Sequence, residues 1–142
     1  MRSPWHEPID TRRIPLAGFL AAFVSLAVNV VAREAGVRLL DVPPDLAILS
    51  PLSVSVTTAA AVLIATISLA ALANTQARPF SVLRTLTGSV FLLSCAGPLA
   101  ARAGLLPHVP HIDTTTMGLM IGMHAATALF IVVFLTTLPR GR

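Results

Sequence analysis

The chain has 142 residues, of which 55% are hydrophobic and 11% charged, and its mean hydropathy is +0.83. A water-soluble core of this size cannot hide so much apolar surface, so an ordinary soluble domain is excluded. The net charge of +4 does not point to nucleic acid either, because the ten basic residues, all arginine, lie between apolar runs and form no stripe.

Residues 1–13 carry Arg2, Arg12 and Arg13 and read as a cytoplasmic N-terminal segment, with Trp5, the single tryptophan, beside the membrane interface. The first apolar run, Ile14 to Ala32, would rise ~28 Å as a helix, close to the thickness of a bilayer core. Arg33 and Glu34 follow it. A cleaved signal peptide is the alternative for this run, since Arg12-Arg13 precede it and Val30-Val31-Ala32 resembles a small-residue cleavage site. Its length, with Phe23 and Asn29 inside it, fits a retained helix better.

The second run extends from Pro51 to about Ala73, after breaks at Pro43-Pro44 and at Pro51 itself. It is rich in hydroxyls (Ser53, Ser55, Thr57, Thr58, Thr66 and Ser68) that can bond back to their own helix carbonyls and need not line a pore. The third run covers about Val82 to Ala100, with Arg102 beyond it and Gly97-Pro98 predicting a kink near its end. The fourth covers about Met117 to Leu138 and ends at Pro139-Arg140, which leaves 139–142 as a short tail.

Spans at about 14–32, 51–73, 82–100 and 117–138, joined by short connections, predict an all-α polytopic membrane protein: an antiparallel up-down-up-down four-helix transmembrane bundle. Seven arginines (2, 12, 13, 78, 84, 140 and 142) fall on the side of the termini, against Arg33, Arg38 and Arg102 on the other. The positive-inside rule then puts both termini in the cytoplasm.

Gly18 and Ala22 in the first span, with Ser25 and Asn29, fall on one helix face. Gly118, Gly122 and Ala126 form a small-xxx-small series in the fourth. Both faces are expected to serve helix packing, within the chain or between chains. In the predicted orientation Asn29, Ser55, Thr58, Ser94, Cys95 and His124 all lie in the outer half of the membrane. His124, inside a span, needs a partner, and Asn29 is the natural one. This cluster is the candidate ligand-binding site, although a histidine that simply ties helices together is the plainer expectation. The lone Cys95 excludes an intrachain disulfide.

His108, His111 and Asp113 in the outer loop offer a weak metal-ligand spacing. Asp113 reads better as an N-cap for the fourth helix, followed as it is by Thr114, Thr115 and Thr116. No glycine-rich phosphate loop, nucleophile elbow, H-E-x-x-H or paired carboxylates occur, so no catalytic residue is assigned and an enzyme is disfavoured. No cofactor is predicted; axial ligation of a porphyrin-type group by His124, or a loop metal, has no further support. All Asp and Glu residues lie outside the apolar runs, which weakens a proton-coupled transporter.

The N-V-V stretch at Asn29, P-L-S-V-S-V at Pro51 to Val56 and M-H-A-A-T-A at Met123 to Ala128 give the chain the pattern of a family of small bacterial four-helix membrane proteins of unknown function, which it resembles over nearly its whole length. That resemblance implies the bacterial plasma (inner) membrane and a multi-pass topology, and transfers no functional residue. The expected function is a non-catalytic accessory or scaffold subunit of a membrane complex, or a self-associating bundle, with the lipid bilayer and a homo-oligomer or larger complex as partners and no nucleic acid. The alternative is a small transporter or ligand-binding bundle built on His124 and Asn29.

Overall fold

The computed structural model describes residues 7–107, 109 and 111–141. Trp5, Arg2, Arg142 and His108 lie outside them. Four helical stretches are long and apolar enough to cross a membrane: Thr11–Leu39, Pro51–Thr75, Pro79–Arg102 and Thr114–Thr137. Within them the α-helices are α1 (Ile14–Leu39), α2 (Pro51–Thr75), α3 (Pro79–Ser94), α4 (Ala96–Arg102) and α5 (Thr114–Thr137). No strand forms among the described residues; Ile9 and Arg140 make one isolated antiparallel bridge.

α1 continues seven residues beyond the apolar run. Arg33, Glu34 and Arg38 extend it as a polar turn in which Glu34 pairs with both arginines. Asp41, with φ 54°, then turns the chain, so that the Val42 N–H returns to the Gly36 carbonyl at 3.2 Å. Aspartate tolerates this left-handed conformation better than most residues. Arg33 clasps the connection that follows, donating to the carbonyls of Leu49 (3.0 Å) and Pro44 (3.3 Å).

The third span breaks at Cys95, between α3 and α4, one turn before the expected Gly97-Pro98. Pro98 has no N–H to offer the carbonyl four residues earlier, that of Ser94, and its ring crowds that same carbonyl. The distortion therefore appears where the bond is lost.

α1 packs centrally against α2 and α5. Gly18 abuts Thr66 and Asn29 bonds Thr58, so residue pairs run in opposite order along α1 and α2. Gly36 abuts Leu119 and Asn29 bonds Thr127, giving the same reversal between α1 and α5. Ala22 packs on the main apolar core, which gathers Ala17, Ala21, Val62, Leu69, Phe80, Leu83, Ile131 and Leu135 toward the end of the bundle where α1 begins and α5 ends. The α5 series behaves differently. Nothing lies within 4 Å of a methyl group placed at Gly118 or Gly122, both exposed, and Ala126 is half-buried.

The segments before α1 and after α5 tie this core shut. Asp10 N–H donates to the Pro139 carbonyl (2.7 Å) and Gly141 N–H to that of Pro8 (3.1 Å). Glu7 accepts from the Phe80 N–H at 2.8 Å, placing a carboxylate on the first turn of α3, where the helix dipole favours it. Arg84 donates to the Thr136 hydroxyl and Arg140 to the Thr136 carbonyl.

Candidate functional site

The third span is buried only toward its two ends. Pro79, Phe80 and Leu83 anchor one end and Pro98 and Ala101 the other, while no residue from Arg84 to Gly97 is fully buried. The facing surface of α2 includes the small side chains of Thr57, Ala61, Ala65 and Ser68. A span held at both ends, opposite small residues, leaves space at its middle. A cavity of about 500 Å³ lies there, walled by α2, α3 and α5. Leu83, Phe91, Met120, Met123 and Ile131 make most of its surface apolar. Its flanks on α2 and α3 include Ile64 and Val90, each 65% exposed, so it opens sideways between these helices.

Of the predicted ligand-binding residues, Asn29, Thr58, Ser94 and His124 all line this cavity, and Ser55 does not. Asn29 is 2% exposed and joins three helices: its Nδ2 donates to Thr58 Oγ1 and to Thr127 Oγ1, each at 2.9 Å. Thr127 was not singled out in the sequence, although it lies three residues after His124 in the same M-H-A-A-T-A segment. The Asn29 Oδ1 atom is buried and has no hydrogen-bond partner; the same is true of Ser25 Oγ.

The expected bond between Asn29 and His124 is not made. The asparagine amide is engaged by the two threonines, and His124 Nδ1 lies 2.6 Å from the Met120 carbonyl of its own helix. A carbonyl oxygen can only accept, so Nδ1 carries the proton and Nε2 is the free ring nitrogen. Helix hydroxyls behave in the same local way. Thr57 donates to Ser53 O (2.7 Å), Ser94 to Phe91 O (2.7 Å) and Thr127 to Met123 O (3.0 Å).

Among the described residues no group of three metal-ligating side chains is brought together. Arg102 donates to His111 Nε2 at 3.2 Å, and Asp113 caps α5 by accepting from the Thr116 N–H at 2.8 Å. The Thr116 side-chain and backbone hydrogen bonds hold the Asp113 carboxyl below its ordinary value of 3.8.

Four apolar helices around a laterally open, mostly apolar cavity define a small polytopic helical membrane protein. A sequence family described as a family of unknown function (DUF6069) matches residues 7–140, and the chain belongs to it. No curated protein and no solved structure matches it.

Proposed function

We propose that the protein is a non-catalytic membrane binding protein that takes a lipid-soluble small molecule into the cavity between α2, α3 and α5. The observation that carries this reading is the position of Asn29. Its buried side chain lies at the wall of a mostly apolar cavity, beside Thr58, Thr127 and His124, and its oxygen is enclosed there without a partner. Buried polar atoms are seldom left unpaired, and a few convergent polar groups in an apolar pocket are the usual mark of a ligand site. The lateral opening would face the hydrocarbon, from which such a molecule could enter without crossing water.

The arginine distribution supports cytoplasmic termini, and with them a cavity whose polar end lies in the outer half of a bacterial plasma membrane. Among the described residues His124 is the only titratable side chain on the wall and no carboxylate lines it to form an acid–base pair, which favours binding over chemistry. A scaffold or accessory role is a second reading. It is favoured by the open face at Gly118 and Gly122, where a helix of another chain could approach closely.

The test is extraction of the small molecules that copurify with the full chain in nanodiscs, compared with an Ala61→Trp variant. A compound retained at about one per chain and lost from the variant is expected. The same extract from both proteins would reject the binding reading.

A further inference from the structure

Two arginines meet on one buried residue at the end of the bundle where α5 finishes. Thr136, 1% exposed, accepts from Arg84 Nη2 through its hydroxyl at 3.2 Å and from Arg140 Nε through its carbonyl at 2.8 Å. The Arg140 guanidinium also lies over the Phe80 ring, 5.8 Å from its centroid. These neutral partners fix where both cations stand and cancel neither charge. Among the described residues Asp10 pairs with Arg13, Glu34 pairs with Arg33 and Arg38, and Glu7 takes the Phe80 N–H; no ion pair joins a carboxylate to Arg84 or Arg140. A guanidinium carries several N–H donors in a planar fork, and most of each fork is unengaged here.

Arg84 belongs to an apolar span, ~7.5 Å along the helix from Pro79, where a cation facing hydrocarbon is costly and a long side chain reaches for the interface. Arg140 lies just beyond the end of α5. Bonding to the same residue brings both forks to one level, that of the lipid headgroups. On the hydrocarbon side of that level, one turn on from Arg84, nothing lies within 4 Å of a methyl group placed at Gly88. On α5, one and two turns before Thr136, Val133 and Leu129 are exposed and apolar.

We infer that Arg84 and Arg140 form a binding site for the phosphate of an anionic phospholipid, whose acyl chains lie along α3 and α5 past Gly88 and Val133. Phosphate oxygens match the planar forks and supply the negative charge that the protein withholds. The headgroup must be net negative, because two cations with no acid between them repel the quaternary ammonium of a zwitterionic head. Neither arginine lines the cavity, so this site stands apart from the binding reading above.

Two lipids with the same acyl chains test this, dioleoyl phosphatidylglycerol and dioleoyl phosphatidylcholine, titrated onto the purified full chain in detergent and counted by native mass spectrometry. The first bound lipid should be phosphatidylglycerol by at least about tenfold, the size of one hydrogen bond between charged groups. The double variant Arg84→Gln with Arg140→Gln should bring the two lipids close to parity. Arg84→Lys with Arg140→Lys keeps the charge and removes the forks; it should reduce the preference, and it provides the readout should the glutamine pair fail to fold. Arg38→Gln removes a cation at the other end of α1 and should leave the preference unchanged. Equal retention of the two lipids by the parent, an undiminished preference in every double variant that folds, or an equal loss in Arg38→Gln overturns the site.

Discussion

Asn29 and Thr127, 98 positions apart in sequence, are joined by a buried 2.9 Å hydrogen bond in which the threonine can act only as acceptor, because its own hydrogen is engaged by Met123 O. This bond fixes α1 to α5 beside the cavity and sets which atom of the asparagine remains free. Interhelical hydrogen bonds in apolar surroundings contribute about 0.6 kcal/mol on average and up to about 1.7. A double-mutant cycle of Asn29→Ala and Thr127→Val, read from unfolding in mixed detergent, should give a coupling in that range. A coupling indistinguishable from zero would show that the contact holds nothing together.

The glycines provide a graded test of helix packing. A methyl group at Gly18 would come within 2.5, 2.7 and 3.1 Å of Thr66 Oγ1, Cγ2 and Cβ. Rotating the threonine cannot clear its own Cβ, so Gly18→Ala must push α1 and α2 apart, at a cost of about 1–3 kcal/mol. At Gly36 the close atom is Leu119 Cδ2 at 2.5 Å, with the rest of that side chain at 3.5 Å, and a rotamer change relieves it. Gly122→Ala meets nothing within 4 Å. The expected order of destabilisation in the same unfolding assay is Gly18→Ala well above Gly36→Ala, with Gly122→Ala near zero or slightly stabilising, since alanine is the better helix former. If Gly122→Ala instead weakens self-association measured by crosslinking, its face is a contact between chains.

These glycines also show how far the sequence could be read. Run lengths were enough for four spans, because the thickness of a bilayer leaves little freedom in how long an apolar helix must be. Polar residues within those runs were enough to bring Asn29, Thr58, Ser94 and His124 to one region. Gly18, Gly118 and Gly122 look alike as letters, however, and which of them meets a neighbour depends on helix rotation, which no local pattern fixes. Gly36 lies past the apolar run, among charges, where a packing role carried no signal. The cavity was equally illegible: it lies where the third span, fully buried at Phe80 and Ala101, has no fully buried residue from Arg84 to Gly97, a property of tertiary contacts alone.

Asp113 gives a pH dependence of defined sign. Its carboxyl is held below 3.8 by the Thr116 hydrogen bonds, so the folded state favours the ionised form. The cap therefore contributes its full stability above the ordinary carboxyl range, and that contribution is lost as the pH falls through the lowered value. Hydrogen exchange at the first turn of α5 should stay slow at neutral pH and accelerate as the pH falls below about 3.8, after correction for the intrinsic rate. The Asp113→Asn variant should keep the cap, since asparagine serves as well at this position, and should lose the pH dependence. An unchanged acid profile in that variant would assign the effect to another group.

Arg33 holds the far end of α1 against the connection to α2. Its side chain is 11% exposed, with donors on the carbonyls of Leu49 and Pro44 and a third contact to Glu34. Arg33→Met keeps the aliphatic stem and strips all three contacts, leaving the Leu49 carbonyl without that donor at a buried residue. A loss of about 1–3 kcal/mol is the ordinary consequence of unpairing a buried polar group. It should be local, appearing as faster hydrogen exchange over residues 46–54 with little change over Leu69 and Leu83 in the core at the other end. Arg33→Lys should recover only part of the protection, because one ammonium lacks the planar fork that reaches two carbonyls and a carboxylate together. Uniformly faster exchange along all four spans would instead make Arg33 a determinant of the whole bundle.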